Sequence, residues 1–168
     1  QYSRTSSWQQ LEGGLSPSAP SFAELNGVLY AVVQGENNYP WWSSSKDGGQ
    51  SWQGWQQIPY AFEILSPPSL AVYNGILYMG CVSPTSSGAI TGTFYISSFN
   101  ASTGDWGSNI GAGSGIPPNN TSGNFTGLQY ASLIVEGDSL SLYYVGSDSN
   151  IYRTSTTDPF SDSLYGWE

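Results

Sequence analysis

Short apolar runs alternate along this chain with clusters of Gly, Asn, Asp, Ser and Pro, and almost nothing repeats with the period of an amphipathic helix. Three segments share one layout. Ser21-Phe-Ala-Glu-Leu25 leads through Asn26-Gly27 into Val28-Leu-Tyr-Ala-Val-Val33. Ser69-Leu-Ala-Val-Tyr73 leads through Asn74-Gly75 into Ile76-Leu-Tyr-Met-Gly-Cys-Val82. Ser132-Leu-Ile-Val-Glu136 leads through Gly137-Asp138 into Ser139-Leu-Ser-Leu-Tyr-Tyr-Val145. Asn-Gly between two strand-like runs specifies a two-residue type I′ turn, because both central residues need positive φ. Hairpins are therefore predicted at Asn26-Gly27, Asn74-Gly75 and Gly137-Asp138.

A third strand-like piece and a tryptophan follow each hairpin. These are Trp41–Ser45 before Trp52, Thr93–Ser98 before Trp106, and Asn150–Ser155 before Trp167. The first residues, Gln1–Ser6 before Trp8, match the last of these. A unit of roughly 45 to 60 residues, each a small antiparallel sheet, points to propeller blades; a sandwich built of hairpins is the alternative. The expected fold is all-β, with about three four-stranded β-propeller blades in a single domain. The repeats run over about 12–55, 56–110 and 111–168, with 1–11 completing a blade.

Charge and composition narrow the function. Three basic residues stand against 12 acidic ones, a net charge of -9. A nucleic-acid binder needs a basic stripe, and an anionic membrane surface repels such a chain. There is no histidine, which removes histidine-based catalytic dyads and triads and histidine metal sites. No apolar run reaches the roughly 18 residues of a membrane span. No nucleic-acid partner, membrane insertion, cofactor or metal is expected. Aromatic residues make up 15% of the chain, more than a disordered sequence carries. Four sequons, at Asn100, Asn119, Asn120 and Asn124, point to a secreted, extracellular glycoprotein. A first residue of Gln1 suits a mature end left by signal-peptide removal. The single Cys81 lies among Met79, Gly80 and Val82 and reads as a small buried hydrophobe.

One motif is specific. Ser45-Lys-Asp47-Gly-Gly49-Gln-Ser51-Trp52 matches Ser-x-Asp-x-Gly-x-Ser/Thr-Trp in full. It resembles the Asp box of sialidases and related propellers, which closes the turn between the third and fourth strands of a blade. The Asp47 carboxylate accepts from turn backbone, glycine supplies unusual dihedrals, and Trp52 packs inward, so the reading is structural. Ser98-Phe-Asn100 with Thr103-Gly-Asp105-Trp106 is a degenerate copy, and Asp158 with Tyr165-Gly-Trp167 is looser. A sialidase needs three arginines and a Tyr-Glu pair; this chain has only Arg4 and Arg153.

Leu142–Tyr152 is similar to the second strand, acidic turn and third strand of fungal fucose-binding propeller lectins. In that family an arginine and a glutamate of one blade, with an aromatic of the next, bind fucose. Here Ser141 stands at the arginine position, and Thr154 or Ser155 at the glutamate position. Sugars bind where aromatic faces stack on C–H surfaces and a few polar groups hold hydroxyls. The candidate contacts are Glu36, Asn38, Tyr39, Trp41, Trp42, Trp55, Arg4 and Arg153. Strand alternation sends Trp41 and Trp42 to opposite faces, one to core and one to solvent, unless both bury between blades. The arginines recur in Tyr-(x)-Arg-Thr-Ser, as a repeated site or as one half of a salt link. The expected function is a secreted fungal-type lectin that binds glycans or glycoproteins without catalysis. The alternatives are a non-catalytic Asp-box module of a larger carbohydrate-active enzyme, or a structural or defence protein without a sugar ligand. Three blades leave open flanks, which a homodimer closing a six-bladed ring would cover.

Overall fold

The computed structural model describes residues 10–59, 63–84, 91–107, 110–111, 125–126, 131–145 and 150–159. They form three antiparallel sheets and, among the described residues, no helix. The first sheet is β1 (Ser21–Leu25), β2 (Val28–Gln34), β3 (Pro40–Ser45) and β4 (Gln56–Gln57), in that order. The second holds β5 (Ser69–Tyr73), β6 (Ile76–Pro84) and β7 (Thr91–Asn100). Short pieces β8 (Asp105–Trp106), β9 (Ile110–Gly111) and β10 (Phe125–Thr126) all pair with β7. The third is β11 (Ala131–Glu136), β12 (Ser139–Val145) and β13 (Ile151–Thr156). Each sheet follows the blade pattern: hairpin, then third strand.

The hairpins turn where the Asn-Gly and Gly-Asp pairs stand. Asn26 and Gly27 have φ of 53° and 78°, and Asn74 and Gly75 have 49° and 74°. In the third hairpin only Gly137 is positive, at 56°, which is the Gly-first requirement of a II′ turn. The fourth strand of the first blade is Gln56–Gln57, paired with Trp42 and Trp41. The intervening backbone is held otherwise. Gln53 N–H donates to Ser44 O at 2.9 Å, and its carbonyl accepts from Ser43 Oγ at 2.5 Å.

Period-2 alternation sends the second sheet's side chains to two neighbouring sheets. From the second sheet, Leu70, Leu77, Met79, Cys81, Phe99 and Trp106 pack with Leu25, Tyr30, Val32 and Trp42 of the first. Its opposite face sends Ala71, Tyr78, Val82, Phe94 and Ile96 against Leu133, Leu140, Leu142 and Tyr144 of the third. Burial on both faces is why β6 reads as an unbroken apolar run. Each fully buried large apolar side chain contributes about 1.5–3 kcal/mol. Cys81 belongs to this core, and burial pushes its thiol up to about 12.

The innermost strands β1, β5 and β11 lie side by side. A repeated hydrogen bond joins them. Ser21 Oγ accepts from Leu70 N–H at 3.0 Å, and Ser69 Oγ accepts from Leu133 N–H at 3.0 Å. Tyr73 Oη adds a further tie, donating to Asp138 O at 2.6 Å.

Candidate functional site

The loop Gly35–Tyr39 joins β2 to β3 and carries the chemistry. Gly35 N–H donates to Tyr39 O at 2.8 Å, and Asn38 N–H donates to Gly35 O at 2.9 Å. Asn38 takes the left-handed conformation, φ 62°, which asparagine tolerates. Trp41 folds back over this turn. A Cβ on Gly35 would lie 2.5 Å from Trp41 Cδ1, so only glycine admits the indole there. Trp41 Nε1 donates to Asn37 Oδ1 at 3.1 Å, and the same oxygen accepts from Tyr39 N–H at 3.2 Å. On the other side Trp55 lies against Gly13 and Gly14.

Between the two indoles is a cavity of about 320 Å³, lined also by Gly13, Leu15, Val33, Gly35, Glu36 and Asn37. Trp55 Nε1 is buried without a hydrogen-bond partner among the described residues. The lining therefore combines two aromatic faces, one carboxylate and one amide. That set suits an uncharged polyhydroxylated ligand, with C–H faces on indole and hydroxyls on Glu36 and Asn37.

Three of the expected contacts meet here: Glu36, Trp41 and Trp55. Asn38 and Tyr39 do not line the cavity. Asn38 is spent on the turn, accepting from Gln34 Nε2 at 3.4 Å and from Ile64 N–H at 2.7 Å. Trp42 is corrected: it is 8% exposed and packs between sheets against Tyr30, Phe99 and Trp106. Arg153 makes the salt link that the sequence allowed beside a repeated site, its Nε donating to Glu136 Oε2 at 2.7 Å. Arg4 lies outside the described residues. Asn37 was missed; its signal was a position four residues before Trp41 in a glycine-containing turn.

The Ser45–Trp52 turn is fully engaged with itself. Ser45 Oγ donates to Asp47 Oδ1 at 2.7 Å and accepts from Gly49 N–H at 2.8 Å. Asp47 Oδ1 accepts from Ser51 N–H at 2.9 Å, and Oδ2 from Ser51 Oγ at 2.5 Å. Trp52 Nε1 donates to Gly49 O at 3.1 Å. Bonds from Ser51 and Ser45 lower Asp47 to about 2. In the second blade, Asn100 Oδ1 caps Ser102 N–H at 3.0 Å, and Trp106 is buried. Asn100 is exposed; the sequons at Asn119, Asn120 and Asn124, and the Tyr165–Trp167 segment, lie outside the described residues.

A second polar group sits on the third sheet. Glu136 accepts from Tyr143 Oη at 2.7 Å as well as from Arg153, and Arg153 Nη2 donates to Ser141 Oγ at 3.2 Å. Hydrogen bonds from Ser141, Tyr143 and Arg153 lower Glu136 to about 2. A groove of about 390 Å³ opens where the inner strands begin, at Ser21, Ser69 and Ser132, bordered by Tyr143, Val145 and Ile151. No Asp or Glu is among the described residues that line it.

No protein-family model and no curated protein matches this sequence. Solved structures do match. An alpha-L-arabinofuranosidase from Lactobacillus brevis aligns over 85% of this chain and 50% of its own, with 14% identity and a TM-score of 0.60. One from Fusarium graminearum aligns over 89% and 46%, with 18% identity and a TM-score of 0.57. A GH43_12 protein from a capybara gut metagenome aligns over 92% and 30%, with 14% identity and a TM-score of 0.61. The chain has a β-propeller fold. It spans half or less of these structures' length.

These neighbours correct the functional expectation. Propellers that match this chain belong to carbohydrate-cleaving enzymes, which overturns both the lectin without catalysis and the exclusion of enzyme activity. The alternative, a module of a carbohydrate-active enzyme, fits better.

Proposed function

We propose that this chain is part of a carbohydrate-active β-propeller enzyme larger than itself, and that it supplies a glycan-contacting cavity between Trp41 and Trp55. The observation that carries the reading is that cavity, with Glu36 and Asn37 set beside two indoles. The likeness of the fold to arabinofuranosidases supports a plant-type or other neutral polysaccharide as the ligand class. Glycosidic cleavage normally needs two carboxylates about 5–9.5 Å apart. The described lining supplies Glu36 alone, so a second acid must come from beyond it. In this reading the Ser45–Trp52 turn is an Asp box with a structural duty, and the exposed Asn100 sequon belongs to a secreted glycoprotein.

Affinity electrophoresis through arabinan, xylan and arabinoxylan gels, paired with a reducing-end release assay, tests the proposal. The chain should be retarded by at least one of these polysaccharides. Trp41→Ala or Trp55→Ala should weaken retention about tenfold, since stacking area dominates such contacts. Retention that survives both substitutions, or its absence on every neutral polysaccharide, refutes the assignment.

A further inference from the structure

Two flanks of the three-sheet stack lack a neighbouring blade among the described residues: the outward face of the first sheet and that of the third. Their residues can be named by register, counting from the hairpin turns. Facing the next blade, the first two sheets place Leu25 and Tyr73, Tyr30 and Tyr78, and Trp42 and Ile96. The third sheet has Glu136, Ser141 and Arg153 at those positions, joined in one hydrogen-bonded group. Facing the preceding blade, Val72 and Val135 are matched in the first sheet by the exposed Glu24. Internal seams are thus apolar, and the two outer flanks carry charge at the corresponding positions.

Both flanks nevertheless keep exposed apolar side chains. Ile134 is 45% exposed and Ile151 76% on the third sheet; Phe22 is 45% exposed on the first. Mixed surfaces of this kind characterise associations between separately folded pieces, which must stay soluble before they meet.

We propose that the outward flank of the third sheet docks on the outward flank of the first sheet of a second copy, and reciprocally, in a two-fold dimer. The serine series supports this occupant. Ser21 and Ser69 each accept from the amide that follows the equivalent serine of the next blade's inner strand, Leu70 after Ser69 and Leu133 after Ser132. Ser132 is third in that series and exposed, and the amide in matching register is that of Phe22. Val33 and Trp41 lie on the docking flank, in the positions of Cys81 and Tyr95, which pack on the first sheet. The docked copy therefore lies beside the Trp41–Trp55 cavity, whose lining of Gly13, Leu15 and Trp55 this chain already supplies, and this part of the inference rests on the proposed function.

Sedimentation velocity from about 1 to 100 µM tests the docking. The expected species has twice the chain mass. Ile134→Lys should raise the dissociation constant at least tenfold, and Ser132→Ala by about 2- to 10-fold per clasp. A chain with both Phe22→Cys and Ser132→Cys should oxidise to a covalent dimer, which keeps the test open if Ile134→Lys fails to fold. A monomer throughout the range, with no covalent dimer on oxidation, overturns the proposal. Glu36→Gln separates the two readings: it should reduce polysaccharide retention and leave the sedimenting mass unchanged.

Discussion

Trp41 and Trp42 are adjacent, chemically identical, and assigned opposite duties, so their truncations should diverge. Trp42 is 8% exposed and contacts three rings, with centroids at 6.3 Å to Tyr30, 5.2 Å to Phe99 and 6.3 Å to Trp106. Trp42→Ala removes a large side chain from a seam between two sheets, where neither backbone collapses easily. The expected cost is about 3–5 kcal/mol, transfer and cavity terms together. For a chain of this size that lowers Tm by roughly 10 °C, and it consumes a large part of a typical 5–15 kcal/mol stability. Trp41 is half-buried on the opposite face, and its truncation should cost about 1–2 kcal/mol, from partial burial and one hydrogen bond. Urea unfolding followed by far-ultraviolet circular dichroism gives both values, and the gel assay gives binding. Trp42→Ala should lose the more stability and, when folded, retain the ligand; Trp41→Ala should lose less stability and weaken retention about tenfold. A Trp42→Ala protein of unchanged Tm that has lost its ligand would refute the packing argument.

Two further outcomes follow from local geometry. Asp47 is lowered to about 2, below its unfolded value, so its stabilisation is complete above about pH 4 and disappears as pH falls through 2. Asp47→Asn should lower Tm at pH 7 and flatten its fall between pH 4 and 2, and carboxyl NMR should show Asp47 titrating near 2. At Gly80 an added Cβ would lie 2.6 Å from Phe94 Cζ and 2.9 Å from Leu133 Cδ1, so Gly80→Ala should cost about 1–3 kcal/mol in the same urea assay; an unchanged midpoint would show that the seam is loose.

The strands and hairpins were legible because their causes are local. Alternation places side chains on two faces, and Asn26-Gly27 and Asn74-Gly75 reach positive φ without help from the rest of the chain. The Ser45–Trp52 turn was equally legible, since every bond described for it links residues at most four apart. Alternation also required that Trp41 and Trp42 part company, but not which one entered the core. That depended on the second sheet, whose Phe99 and Trp106 lie more than fifty residues away. Arg153 meets Glu136 because the pairing of β11, β12 and β13 sets Tyr143 opposite Arg153 and carries the hairpin-end carboxylate within reach. The cavity itself needed Trp55 and Gly13 brought to the Gly35–Tyr39 loop from two distant parts of the chain. Residue type and periodicity determine what a segment can form by itself; which face is buried, and which groups converge, is decided by the neighbouring sheet.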